Sequence, residues 1–230
     1  MNKVWVFWLV LVTVLVASNG CGADSETTAL STAAPQPSEM PLPTPRLAGE
    51  MSLEESIASR RSVREFTGQR LTWEEISQLL WATQGITAPA GLRTAPSAGA
   101  LYPLEIYVAL ADGAYHYLPH SHAVQRLSER DSRQDLCEAG LRQDALRQAP
   151  AIFVIAAVYE RTDAKYGERA ERYVHLEAGH AAQNLLLQAV ALELGAVPIG
   201  AFSDDTVQET LGLPADHRPL YLIPVGYPRE

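Results

Sequence analysis

Eight consecutive apolar residues, Ala151-Ile152-Phe153-Val154-Ile155-Ala156-Ala157-Val158, constrain this chain more than any other stretch. The run has strand length and lacks the polar alternation of a half-solvated strand, so it predicts a strand buried on both faces. Leu104 to Ala111 alternates and is rich in β-formers. Asp112-Gly113 separates it from Ala114-Tyr115-His116-Tyr117-Leu118, which predicts a hairpin. Pro219 to Tyr227 predicts a final strand. With 230 residues, 47% of them apolar, one domain of moderate size is expected.

Helix signals lie between these strands. Ser52-Leu53-Glu54-Glu55 and Thr72-Trp73-Glu74-Glu75 are both capping boxes, a hydroxyl at the N-cap and a carboxylate three residues on. The first opens a short helix to about Ser59, with Leu53 and Ile57 on one face. The second opens a helix to about Gln84, with Ile76, Leu79 and Leu80 at core spacing and Gly85 as its stop. Ser132 to Gln148 reads as helical and broken near Gly140, with Cys137 on it as a packed small residue. Glu168 to Leu194 is the longest helical pattern, ended by Gly195. Its second half is apolar on most sides, which predicts a central helix or a subunit interface. Pro198 and Gly200 disqualify Ala196 to Phe202 as an ordinary central strand. Ser203 or Asp204 caps a last helix to Leu211, stopped by Gly212.

The N-terminus has a different character. One Lys, Lys3, precedes an apolar run from Val4 to Ala17, interrupted only by Thr13; its length is that of a signal-peptide core and short for a membrane span. A small residue, Gly20, precedes Cys21, as in the lipobox of bacterial lipoproteins, although Ser18 stands where a Leu is usual. Residues 1–21 are therefore expected to be a signal peptide of lipoprotein type, with Cys21 lipidated; an uncleaved anchor and plain secretion are the alternatives. Residues 22–50, with Pro35, Pro37, Pro41, Pro43 and Pro45 among Ser, Thr and Ala, read as a disordered tether. The globular domain is expected over 51–230, outside the cytoplasm in the bacterial cell envelope.

The formal net charge of -9 argues against nucleic acid as a partner, and allows a membrane only through the N-terminal anchor. Against that background Arg60-Arg61-Ser62-Val63-Arg64 is a local concentration of positive charge. Three guanidinium groups and a hydroxyl have the chemistry to hold a phosphate; a solvated basic turn is the plainer alternative. Pro96-Ser97-Ala98-Gly99 sits in a loop whose small residues would let backbone approach a flat ligand. His116, His120 and His122 crowd together, but no Cys or carboxylate completes a metal-ligand set, and no metal is expected.

Taken in order, five motifs resemble the nitroreductase-like flavoprotein family, and more closely its SagB/ThcOx-type branch, which includes the peptide azoline dehydrogenases. They are Arg60 to Phe66; Pro96 to Gly99 with Tyr102-Pro103; Gly179-His180-Ala181-Ala182-Gln183-Asn184-Leu185-Leu186-Leu187; Pro198-Ile199-Gly200-Ala201-Phe202; and Pro224-Val225-Gly226-Tyr227-Pro228. The resemblance spans about Ser52 to Pro228. It implies an α+β sandwich, a central mainly antiparallel sheet flanked by helices, and a homodimer with a helical interface and FMN in each of two interface sites. It matches Arg60 to the phosphate-binding Arg, Arg61 and Ser62 to residues lining the ribityl chain and ring, and Arg64 to a cation beside the flavin N1/O2 edge. Pro96, Ser97, Ala98 and Gly99 match the loop that reaches the other subunit's flavin. Pro198, Ile199 and Gly200 match the segment over the ring, with a backbone N–H facing N5. Arg229 is the one basic residue after the closing motif, so phosphate binding leans on Arg60. The Lys–Tyr pair proposed as catalytic in azoline dehydrogenases is assigned no position.

The function expected is hydride transfer through flavin N5 between an unidentified donor, NAD(P)H among the candidates, and a small organic acceptor such as a nitro compound or quinone. Azoline-type dehydrogenation of a peptide or small heterocycle, or a non-catalytic flavin-binding envelope lipoprotein, are the alternatives. No acid or base side chain is identified.

Overall fold

The computed structural model describes residues 39–229; the expected signal peptide, Cys21 and the first part of the tether lie outside the described residues. Seven strands form one antiparallel sheet: β1 (Glu39–Pro41), β2 (Leu104–Leu110), β3 (Gly113–Leu118), β4 (Ala123–Ser128), β5 (Ala151–Ala157), β6 (Gly195–Ala196) and β7 (Arg218–Gly226). Their spatial order is β1-β4-β3-β2-β5-β7-β6. The apolar run opens as β5, paired with β2 on one side (Ile106↔Ile155) and β7 on the other (Phe153↔Ile223). Every residue of β5 is buried, which is why its sequence shows no alternation.

Helices cover both faces. They are α1 (Leu53–Ser59), α2 (Trp73–Gln84), α3 (Arg133–Ala139), α4 (Asp144–Gln148), α5 (Glu160–Tyr166), α6 (Ala170–Ala191) and α7 (Asp204–Leu211). Ile106, Val108, Phe153, Ile155, Ile223 and Val225 face Leu79 and Leu80 of α2 and Ala178, Ala181 and Leu185 of α6. Tyr107, Ile152, Val154 and Leu222 face the other way, onto Leu136, Leu146 and Val207 of α3, α4 and α7. Burying each of the larger aliphatic or aromatic side chains is worth about 1.5–3 kcal/mol. This is the expected α+β sandwich.

Both capping boxes form: Ser52 and Thr72 each accept from the N3 backbone, and Glu55 and Glu75 reach back to the N-cap. The break near Gly140 separates α3 from α4, and Cys137 is fully buried.

Three expectations change. The body starts earlier than residue 51, because β1 pairs with β4 and Leu42 is buried in the core. There His122 Nε2 lies 3.0 Å from the Pro43 carbonyl and 2.8 Å from Ser77 Oγ, and Arg46 N donates to Gln78 Oε1 at 2.8 Å. Leu53 and Ile57 do not enter the core; they are 61% and 57% exposed. The chain leaves α6 at Leu192, with Glu193 in the left-handed region, so Gly195 is free to join β6. Two elements carried no clear signal: β4, whose outer half is polar, and α5, which starts without a side-chain cap.

Candidate functional site

The basic segment Arg60–Arg64 leaves the end of α1 and runs along the β6 edge of the sheet. Ser62 bridges Ala196 in parallel, and Val63 N donates to Ala196 O at 3.1 Å. Gly195 makes this approach feasible: a Cβ there would sit 2.6 Å from Val63 Cβ. The segment is fixed further on, where Thr67 N donates to Tyr227 O at 3.0 Å. Arg229 closes over it, its N donating to Glu65 O and its guanidinium to Phe66 O, both at 3.0 Å.

Ile199 exchanges backbone hydrogen bonds with Leu222 of β7, at 2.8 and 3.0 Å, and so the Pro198–Gly200 segment is pinned beside the same edge. The structure brings Arg64 and Pro198, Ile199 and Gly200 onto one cavity of roughly 550 Å³, whose remaining wall includes Glu65, Gln143 and Gln148. Nothing lies within 4 Å of where a Gly200 side chain would begin, so that backbone is open to a flat ligand. Among the described residues, none of Arg60, Arg61 and Arg64 forms an ion pair with a carboxylate. Arg61 turns back to donate to Ala58 O (2.9 Å) and Arg60 O (2.7 Å), capping α1. Arg64 donates only to Ser62 O, at 3.3 Å. Arg60, Arg61 and Ser62 border the cavity's segment without lining it. One lining arginine that no carboxylate in the described residues neutralises, with two more close by in sequence, and an open backbone wall at Gly200 suit an anionic ligand carrying a planar ring, as a flavin mononucleotide does.

Pro96, Ser97, Ala98 and Gly99 do not line this cavity. They lie against α5 and α6, where a Cβ on Gly99 would meet Lys165 Nζ at 2.8 Å and the Tyr166 hydroxyl at 2.9 Å. Gly99, Ala100 and Tyr102 all have left-handed backbone, with φ of 64°, 54° and 47°. For the two non-glycine residues that conformation costs about 1–2 kcal/mol each. The surroundings hold it in place: Tyr102 N donates to Ser97 Oγ (2.9 Å), Arg161 donates to Tyr102 O (3.0 Å), and Arg93 N donates to the Tyr102 hydroxyl (3.2 Å). Strain so firmly held is characteristic of a functional loop.

Two features here escape a reading of the sequence. The adjacent Lys165 and Tyr166 lie against the loop; the dipeptide is plain in the sequence, but only the fold puts it beside Gly99. Glu177 of α6 is 2% exposed and lies beneath the loop, 3.5 Å from Gln84 Nε2, while Gln84 Oε1 accepts from Arg93 at 3.1 Å. Burial pushes the Glu177 carboxyl up to about 7, against the opposing pull of Ser97, Gln84 and the Arg93 charge. Arg93 stacks on the Tyr102 ring with its Nε buried and unpartnered.

Two of the three clustered histidines have structural partners. His116 pairs with Glu105 at 2.6 Å, and His122 Nδ1 lies 2.9 Å from the Tyr117 hydroxyl. Among the described residues, no group of three or more His, Cys, Asp or Glu is placed to hold a metal ion.

Over residues 57–227 the chain matches the model of the nitroreductase family. A protein of Methanocaldococcus jannaschii described as a nitroreductase is 45% identical over 183 residues, covering 77% of this chain and 91% of its own length. The microcin B17-processing protein McbC of Escherichia coli is 27% identical over 157 residues, 63% of this chain and 57% of its own. Among solved structures, one from Ralstonia eutropha JMP134 described as a nitroreductase superposes with a TM-score of 0.75 at 30% identity, covering 84% of this chain and 90% of that one.

Proposed function

Because the chain belongs to the nitroreductase family of oxidoreductases, we propose that it binds FMN and transfers hydride through flavin N5 between a donor and a small organic acceptor, a nitro compound or a quinone. NAD(P)H is one candidate donor. The observation that carries this reading is the convergence of Arg64 with Pro198, Ile199 and Gly200 on one cavity, beside two further arginines that no carboxylate among the described residues neutralises. When bound, the flavin supplies the redox chemistry.

The chain's own residues would do the rest. Arg60 would hold the phosphate, with Arg61 and Ser62 along the ribityl chain. Arg64 would place a cation at the N1/O2 edge, where negative charge collects on reduction. The backbone of Pro198–Gly200 would cover one face of the ring. Pro96–Gly99, turned away from this cavity, would serve the flavin of a second subunit in a homodimer. The strain and cross-bracing of that loop support the idea that it presents a fixed surface to something outside its own chain. An extracytoplasmic location, anchored by lipid at Cys21, belongs to the same proposal and rests on the N-terminal sequence alone.

The test is an anaerobic titration of the purified full chain, followed at the flavin absorption band. The protein should be yellow, bleach with a donor from a panel that includes NADH and NADPH, and recolour with a quinone or nitroaromatic. A colourless protein that FMN cannot reconstitute refutes the proposal.

One observation favours a second reading, azoline-type dehydrogenation in the SagB/ThcOx manner. Lys165 and Tyr166 sit against Gly99, in the loop proposed to face the flavin. If that chemistry is the physiological one, Lys165→Ala should abolish oxidation of a thiazoline peptide yet leave quinone reduction within about twofold, since general acid–base help typically contributes 10²–10⁴-fold only where a proton must move. Equal loss of both activities argues against the second reading.

A further inference from the structure

We propose that the side-chain amide of Gln148 recognises the imide edge of the flavin, pairing with N3–H and an adjoining carbonyl. The inference rests on the FMN reading above and assigns a residue that reading does not use. Gln148 ends α4 and lines the same cavity as Arg64 and Pro198–Gly200. Its Oε1 is buried and has no hydrogen-bond partner, and its amide makes no side-chain hydrogen bond with any described residue. A buried amide oxygen without a donor is unfavourable, and a ligand N–H removes the penalty.

The other amide on this wall and the neighbouring Asp144 are already engaged, and the Glu65 carboxylate, also on the wall, has no donor to offer. Gln143 donates to Gly140 O at 2.9 Å and to Ala201 O at 3.1 Å, tying α4 to the segment that follows Gly200. Asp144 pairs with Arg147 at 3.0 Å. Arg133, which reaches the adjoining backbone, is occupied by the carbonyls of Ala149 (3.3 Å) and Pro150 (3.1 Å) and by Asp131. Pro150 has no N–H to offer. Gln148 is the amide left open.

The chemistry of a primary amide selects the partner. It presents one donor and one acceptor in a single plane. An imide edge presents carbonyl, N–H and carbonyl in a row, so an amide can meet the N–H and one carbonyl together. With Arg64 donating to the other carbonyl, acceptor, donor and acceptor would all be read. A flat ring without the imide would leave Gln148 unpaired, and sites built to hydrogen-bond a ligand N–H discriminate strongly against analogues that lack it.

The test uses FMN and 3-methyl-FMN, in which a methyl group replaces the N3 hydrogen, against the full chain freed of flavin, with dissociation constants read from flavin fluorescence. The wild type should bind FMN at least about tenfold more tightly than 3-methyl-FMN, the loss of one hydrogen bond. Gln148→Leu should weaken FMN by about tenfold and bring the two ligands to within about twofold of each other. Discrimination that survives undiminished in Gln148→Leu overturns the inference while FMN binding itself stands; a wild type that binds neither flavin overturns the FMN reading instead. If Gln148→Leu does not fold, the wild type loaded with ¹⁵N-labelled FMN decides. An N3–H signal protected from solvent exchange supports the pairing, and its absence overturns it.

Discussion

Residues that matter here differ in how visible they are before folding. Arg60, Arg61 and Arg64 stand out because an acidic chain concentrates them in one stretch. Glu177 and Gln148 do not, since a polar residue on a helix reads as a solvated position until its neighbours are known. Glu177 makes the sharper prediction. Its carboxyl titrates near 4.5 when unfolded and is pushed up to about 7 in the fold by burial. The folded state therefore holds a proton that the unfolded state has released across that window, and stability falls as pH rises through it. Full stability from this group is present below about 4.5 and lost above about 7, a change of about 3 kcal/mol. Glu177→Gln, which cannot ionise, should flatten this slope, as measured by urea unfolding at pH 5 and pH 8. An unchanged slope would show that Glu177 ionises freely. The two site arginines should also separate. Arg60→Ala should mainly weaken FMN retention, by about tenfold or more for a lost charge-assisted contact. Arg64→Ala should lower the two-electron potential by about 30 mV per 1.4 kcal/mol of lost anion stabilisation. Equal loss of FMN in both, with no change in potential, rules out this division of labour.

At the scale of elements, pattern and fold agree where burial is uniform. β5 and α6 are legible because one is apolar throughout and the other along most of its length. β1 and β4 are not, because a three-residue strand and its half-polar neighbour become strands only by pairing with each other. The expected hairpin is there, with Leu110 opposite Gly113. The contact between the Arg60–Arg64 segment and β6 is the one on which the site depends. Gly195→Ala would drive a methyl into Val63. The segment must then lift from the sheet, at a cost of about 1–3 kcal/mol. FMN binding should weaken along with thermal stability, because Arg64 moves with Val63. Loss of stability with FMN affinity intact would show that the segment is not needed in this position.

Considered as a whole, the molecule leaves apolar surface uncovered where α1 and α6 meet solvent. Leu53 and Ile57 of α1 are 61% and 57% exposed, and Leu176, further toward the start of α6, is 52% exposed. This is where the proposed homodimer would find its helical interface, and it explains why a helix with a sound capping box hides so little of its apolar face within one chain. Ile57→Asp should raise the dimer dissociation constant by at least about tenfold, since a carboxylate would have to be desolvated there. Sedimentation would show the monomer, and FMN should be lost with it if the Pro96–Gly99 loop completes the partner's site. A dimer that tolerates the charge places the interface elsewhere.

The strand order has a mechanical consequence. β1, where the chain enters the sheet, and β6, beside the segment that carries Arg64, are its two opposite edges, with five strands between them. A body held to a surface by its N-terminus takes up any drag through β1. Among the described residues three pairs join that strand to β4, so under the proposed anchoring a pull on the N-terminus would load them first. The proposed load path and the proposed flavin site would then share a sheet but not an edge.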